Sequence, residues 1–253
     1  MILTINKNKQ PETIFLEKSP EVTINVQEGA KVIIIDSFNC PKVEINVDKN
    51  ALVDFCTIHQ DSGNLSSHKR GMVKENGELK WMDIIFGKEN LQLDVKTYLQ
   101  EAGANVVQLQ ACLGNKEQEI VINSDVVHQH SHTTSLMKAK GVLYDKAKMK
   151  FKGTIKIPKN SAGCKADQRT DTLLLGEEAK CDAMPILEVE NDDVKCSHGA
   201  SIGQIDEEQM FYLLSRGLDE KKAEQLIVKG ILESITKQIK EETTREKVVA
   251  LIR

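Results

Sequence analysis

The sequence predicts a mainly β protein: a parallel β-helix (solenoid) core over residues 1–205, followed by a C-terminal α-helical region over 206–253. Three observations predict it. Short strand-like segments repeat, aromatic rings are scarce, and after about residue 205 the apolar pattern changes to a helical one.

The repeat lies near the start of the chain. Val22, Ile24 and Val26, followed by Ala30 and Val32, recur 21 residues later as Val43, Ile45, Val47, Ala51 and Val53. Apolar residues alternate within each copy, which is the period of a half-buried strand. Polar turns, Gln27-Glu28-Gly29 and Asp48-Lys49-Asn50, separate the strands. The same turn-then-strand pattern echoes at Gly77–Trp81, Ala104–Val106, Ala147–Phe151 and Ala179–Cys181, at uneven steps. A recurrence in the low twenties fits coils that each bury a narrow stripe against the next. A β-sandwich containing two similar hairpins is the alternative.

Composition agrees with a coil. One Trp, three Tyr and six Phe make 4% of 253 residues. Rings bury the most area per residue, so a core of this size without them rests on branched aliphatics and alanine. Those side chains stack well between narrow coils.

The helical region opens at Asp206, a good N-cap for 207–216, with Glu207 and Glu208 in the first turn and Gly217 as the stop. Asp219 caps a second helix whose Ala223, Leu226, Ile227, Ile231 and Ile235 keep helical spacing. A third short helix is expected from Thr244 to Ile252.

Charge and motifs exclude several classes. Lys+Arg 34 against Asp+Glu 38 leaves a net charge of −4, so no basic surplus exists to grip nucleic acid. No apolar run approaches about 18 residues, so no membrane span is expected. Met1-Ile-Leu-Thr-Ile-Asn-Lys7 lacks a signal peptide's charged start and apolar core, which points to a cytoplasmic protein. Cys40, Cys56, Cys112, Cys164, Cys181 and Cys196 include no CxxC, disfavouring zinc ribbons and thioredoxin-like chemistry. There is no Walker P-loop, so this chain is not expected to hydrolyse ATP or to be an enzyme. A carbohydrate-active β-helix enzyme would rest on fold analogy alone. Glu188, Glu190, Asp192 and Asp193 read as a solvated face with a turn, with no nucleophile nearby.

The stretch from Cys181 to Gly217 carries a longer signature: Pro185-Ile-Leu-Glu188, Asp192-Asp-Val-Lys-Cys196-Ser-His198-Gly-Ala200 and Phe211-Tyr-Leu-Leu-Ser-Arg-Gly217. It resembles the SufB/SufD family, the scaffold proteins of the SUF iron–sulfur cluster assembly system. His128, Thr133-Thr-Ser135, Lys140-Gly141, Phe151-Lys-Gly153, Gln168 and Leu173-Leu-Leu-Gly176 fit the same pattern. The family's core is a right-handed parallel β-helix with a C-terminal helical region, in agreement with the reading above. Larger members begin with a helical region, whereas this chain begins with strands and looks like a short member.

The resemblance implies a function. Cys181, in Cys-Asp-Ala-Met, resembles the cluster-assembly cysteine of the scaffold-type branch. Cys196-Ser-His198 resembles the companion branch, whose histidine lies at the subunit interface. Both in one chain suggest a homodimer, or a heterodimer with a SufB/SufD relative, holding a transient iron–sulfur cluster through Cys181, Cys196 and His198. Thiolate and imidazole suit that chemistry, and on a strand Cys196 and His198 share one face. The family implies a SufC-like ABC ATPase partner bound through the C-terminal helices. Met210, Phe211, Leu214 and the helix after Asp219 are the contact candidates; the same stripe could instead dock the tail onto the β body. A structural partner of the ATPase that holds no cluster is the alternative function. Cys164 sits in a loop-like context, either reactive or packed, while Cys40, Cys56 and Cys112 read as packing residues. His128, His130 and His132 would share a strand face as a metal platform, or else form a polar strand end.

Overall fold

The computed structural model describes residues 1–59, 65–86 and 90–252. Five short strands open the chain: β1 (Ile2–Ile5), β2 (Glu12–Phe15), β3 (Glu21–Val26), β4 (Lys31–Asp36) and β5 (Lys42–Val47). Four longer ones follow: β6 (Leu52–His59), β7 (Leu65–Val73), β8 (Glu78–Ile85) and β9 (Leu91–Leu99). The last seven are the longest: β10 (Asn105–Gly114), β11 (Glu119–His128), β12 (Thr134–Leu143), β13 (Lys148–Ile157), β14 (Cys164–Leu174), β15 (Lys180–Val189) and β16 (Val194–Gly203). Odd strands form one eight-stranded parallel sheet and even strands another, so the chain crosses from wall to wall along a solenoid.

The lengthening strands explain why the repeat fades in the sequence. Asn25 bonds Asn46 at a spacing of 21 residues, Lys49 pairs with Glu75 at 26, and Asn123 bonds Asp94 at 29. The coils widen in steps along the chain, and a fixed period blurs. Every echo nevertheless begins a strand: β8, β10, β13 or β15.

The corners keep the early coils in step. Ala30, Ala51, Gly77 and Ala104 each close a turn by donating to the carbonyl three residues back. Before them stand Gly29, Asn50, Asn76 and Gly103, all with positive φ, the conformation that glycine and asparagine adopt at least cost. The small residues stack, the amide after each bonding the carbonyl of the corner below: Leu52 to Ala30, Glu78 to Ala51, Asn105 to Gly77.

Between the walls runs one continuous apolar core of Val, Ile, Leu and Ala, with Phe55, Trp81 and Phe151 as its large rings. It also encloses charge. Lys69 Nζ reaches Thr57 Oγ1 at 2.6 Å and pairs with Asp83, which His59 Nε2 approaches at 2.9 Å. Phe55 and Trp81 flank the ammonium, their ring centroids 5.2 and 5.7 Å away.

The tail forms α1 (Glu207–Ser215), α2 (Glu220–Thr236) and α3 (Glu242–Leu251). Asp206 and Asp219 cap the first two, accepting from Gln209 and Lys222 N–H at 2.9 Å. The third begins at Glu242, two residues ahead of the expected start, because the Glu241 carboxylate caps it by accepting from the Thr243 and Thr244 amides. A second core lies under these helices. Ile227, Val228, Leu232, Ile235 and Val248 pack on the outer face of the even sheet, against Ile35, Met82, Ile84, Leu109 and Val142. Leu226, expected on the buried stripe, is instead 51% exposed, and Val228 and Leu232 take the inner positions. No helix among the described residues is long and apolar enough to cross a membrane.

Candidate functional site: the open mouth of the solenoid

The solenoid ends in β15 and β16, whose inward positions have no further coil above them. Val189 and Ile202, at inward positions, are consequently exposed apolar side chains. Alternation along β15 turns Cys181, Ala183, Pro185 and Leu187 toward the lumen, and along β16 turns Val194, Cys196 and His198 the same way. Cys181, Leu187, Val194 and Cys196 pack on the inner core accordingly. The side chains of Cys196 and His198 therefore share one face of β16, while Cys181 lies on the facing wall.

These are the accessible thiols. All six cysteines are free; Cys40, Cys56, Cys112 and Cys164 are buried, whereas Cys181 and Cys196 are half-buried. Burial raises the Cys181 thiol above its ordinary value, against a lowering hydrogen bond to Thr172, with Sγ to Oγ1 at 3.4 Å. Burial also raises Cys196, with a further push from Cys164. Both are therefore thiols that must shed a proton on binding metal.

His198 leans across the mouth, and its Nδ1 lies 3.1 Å from the Pro185 carbonyl oxygen. Cys181 lies four positions along β15 from that carbonyl, roughly 13 Å at about 3.3 Å per residue. One chain thus brings Cys196 and His198 together but holds Cys181 apart. Among the described residues, no cluster of three His, Cys, Asp or Glu side chains is poised to hold a metal.

The other candidates resolve into packing, turn and surface positions. β11 ends at His128, so the three histidines do not share a strand face. His128 is buried, bonding Thr133 Oγ1 at 2.7 Å and Ser135 Oγ at 2.8 Å, and burial pushes its imidazole down to about 4. His130 and His132 sit in the following turn, His132 with φ 58°. Cys164 is buried with Sγ 3.2 Å from Thr133 Oγ1. Glu188 pairs with Lys156, and Asp192 and Asp193 lie in the turn before β16.

Sequence reasoning missed Thr172 beside Cys181, and it named Pro185 in the motif without its contact to His198. Both contacts cross from wall to wall, so neither leaves a local spacing signal. It also missed a polar lining, in which Gln108, Gln110, Ser124 and Thr170 are buried inside the wide coils with Gln168 of the family pattern. Gln168 stands beside His198 in the β14–β16 ladder, and a β-carbon on Gly153 would collide with its amide.

On the tail, Met210 and Leu213 pack toward the sheet, whereas Phe211 is 72% exposed and Tyr212 and Leu214 are also exposed. The expected stripe is therefore divided between docking the tail and facing outward.

The family model described as "SUF system FeS cluster assembly, SufBD core domain" matches residues 7–231. The chain belongs to the SufBD family. An iron–sulfur cluster assembly SufBD family protein of Staphylococcus saprophyticus is 31% identical over 221 residues, covering 86% of this chain and 48% of the relative. SufBD family proteins of Staphylococcus epidermidis and Staphylococcus aureus match with the same identity and coverage. This SufBD chain spans about half the length of the curated relatives it matches.

Proposed function

We propose that this chain is a non-catalytic scaffold on which a nascent iron–sulfur cluster is assembled and released, in partnership with a SufC-like ABC ATPase. The cluster is cargo, held by Cys181, Cys196 and His198. The observation that carries the reading is the mouth itself: two half-buried thiols and one exposed imidazole on a coil with no cover. Four closed cysteine ligands suit permanent iron–sulfur sites; an open, incomplete set suits a product that must leave. Because Cys181 stands apart from Cys196 and His198, the full set requires a second mouth. Two copies of this chain, or this chain and a longer relative, would supply it.

The outward Phe211, Tyr212 and Leu214 support docking of the ATPase on α1, which has no buried residue of its own. The test is anaerobic reconstitution with ferrous iron and sulfide, followed by visible absorbance and sulfide quantitation. Cluster loss in Cys181→Ser and in Cys196→Ser is expected. Full retention in the double variant would overturn the ligand assignment. A stable complex with the ATPase and no cluster under any condition would favour the purely structural partner.

A further inference from the structure

His198 is exposed, yet its ring is not free to choose a tautomer. Its Nδ1 lies 3.1 Å from the Pro185 carbonyl oxygen, and a carbonyl can only accept. Nδ1 must therefore carry the proton in this contact, leaving the Nε2 lone pair bare. No other hydrogen-bond partner of the ring is found among the described residues.

The carbonyl is available because of where Pro185 stands. Lys180 and Glu190 both donate their N–H to carbonyls of the β13 segment, at Ala147 and Ile157. Alternation along a regular strand then turns the N–H and C=O of odd-numbered residues away from β13, to the free edge of the last coil. Pro185 occupies one of those positions and brings no N–H. The edge there offers an acceptor alone, and His198 reaches across the lumen to take it.

We infer that the Pro185 carbonyl is a positioning group for His198, fixing the Nδ1–H tautomer and presenting Nε2 as the atom that meets metal. Imidazole ligands are commonly oriented in this way, by a hydrogen bond from the nitrogen that does not bind. Use of Nε2 as a ligand rests on the iron–sulfur reading above; the state of the ring does not.

The test uses metal-free full-length protein labelled with 15N-histidine, at a pH where imidazole is neutral. Long-range 1H–15N correlations distinguish a protonated ring nitrogen from a bare one, and His198→Gln assigns the signal by its loss. Free neutral imidazole side chains favour protonation at Nε2, so the expected result, a bare Nε2 and a protonated Nδ1, runs against the default. A protonated Nε2, or a free-histidine mixture, would overturn the proposal. A bare Nε2 in a protein that never takes up iron and sulfide would leave the positioning intact and remove the cluster reading. The two failures are thus separable.

Discussion

Replacing Lys69 by Met probes the buried charge in the core. Lys69 and Asp83 side chains are both wholly inaccessible, and the carboxylate's remaining partner is His59 Nε2 at 2.9 Å. Met keeps the apolar length against Phe55 and Trp81 but strands the carboxylate. Breaking one side of a buried pair costs about 3–5 kcal/mol, because the other charge is left uncompensated. The Lys42–Glu21 bridge is the control: with 60% and 56% side-chain exposure, Lys42→Met is expected to cost about 0–1 kcal/mol. The assay is a urea titration followed by the fluorescence of Trp81, the single tryptophan, whose ring lies 5.7 Å from Lys69 Nζ. At slopes of about 1–3 kcal/mol per molar urea, the midpoint should fall by 1 M or more. Adding Asp83→Asn should recover more than half of the loss, since no buried charge then remains unpaired. A cost below about 1 kcal/mol for Lys69→Met, or strict additivity in the double variant, would refute the reasoning.

Three further outcomes are expected. Burial pushes the His128 imidazole down to about 4 from its ordinary 6.5, so the unfolded chain binds an extra proton between those values. The native state therefore loses stability as pH falls from about 6.5 to 4, by about 3 kcal/mol, and His128→Gln should flatten that decline in urea titrations run across the range. Thiol alkylation of the native protein, read by mass spectrometry, should label Cys181 and Cys196 first. Cys56, its thiol pushed up to about 12 chiefly by burial, should stay unlabelled until unfolding, with Cys40, Cys112 and Cys164. Phe211→Asp should shift the urea midpoint by less than about 0.5 kcal/mol equivalent, as exposed positions usually do, yet abolish co-purification of the ATPase.

The fold was largely legible because its determinants are local. Alternation, corner residues such as Gly29 and Asn50, and caps such as Asp206 and Asp219 act within a few positions of the chain. The outward turn of Leu226 was less legible, since helical spacing alone does not say which edge of a broad apolar stripe meets the sheet. Cys181, Cys196 and His198 stood out through a motif, but their separation depends on two walls running in opposite senses, which no linear spacing expresses. Of the two readings of the histidine trio, the polar strand end is the one found. Alternation stops at His128, where Thr133 and Ser135 draw the first ring inward and the chain turns.

Among the described residues, the tail packs its apolar face on one wall. α2 and α3 lie on the outer face of the even sheet, and β16 of that sheet leads directly into α1. A load applied to the helices is therefore delivered to the wall bearing Cys196 and His198, while the wall bearing Cys181 is spared. Among the described residues, the hydrogen bonds of His198 to Pro185 and Cys181 to Thr172 span the walls at the mouth. Shear between the walls would strain both at once, making the end of the solenoid a jaw with one driven side and one stationary side.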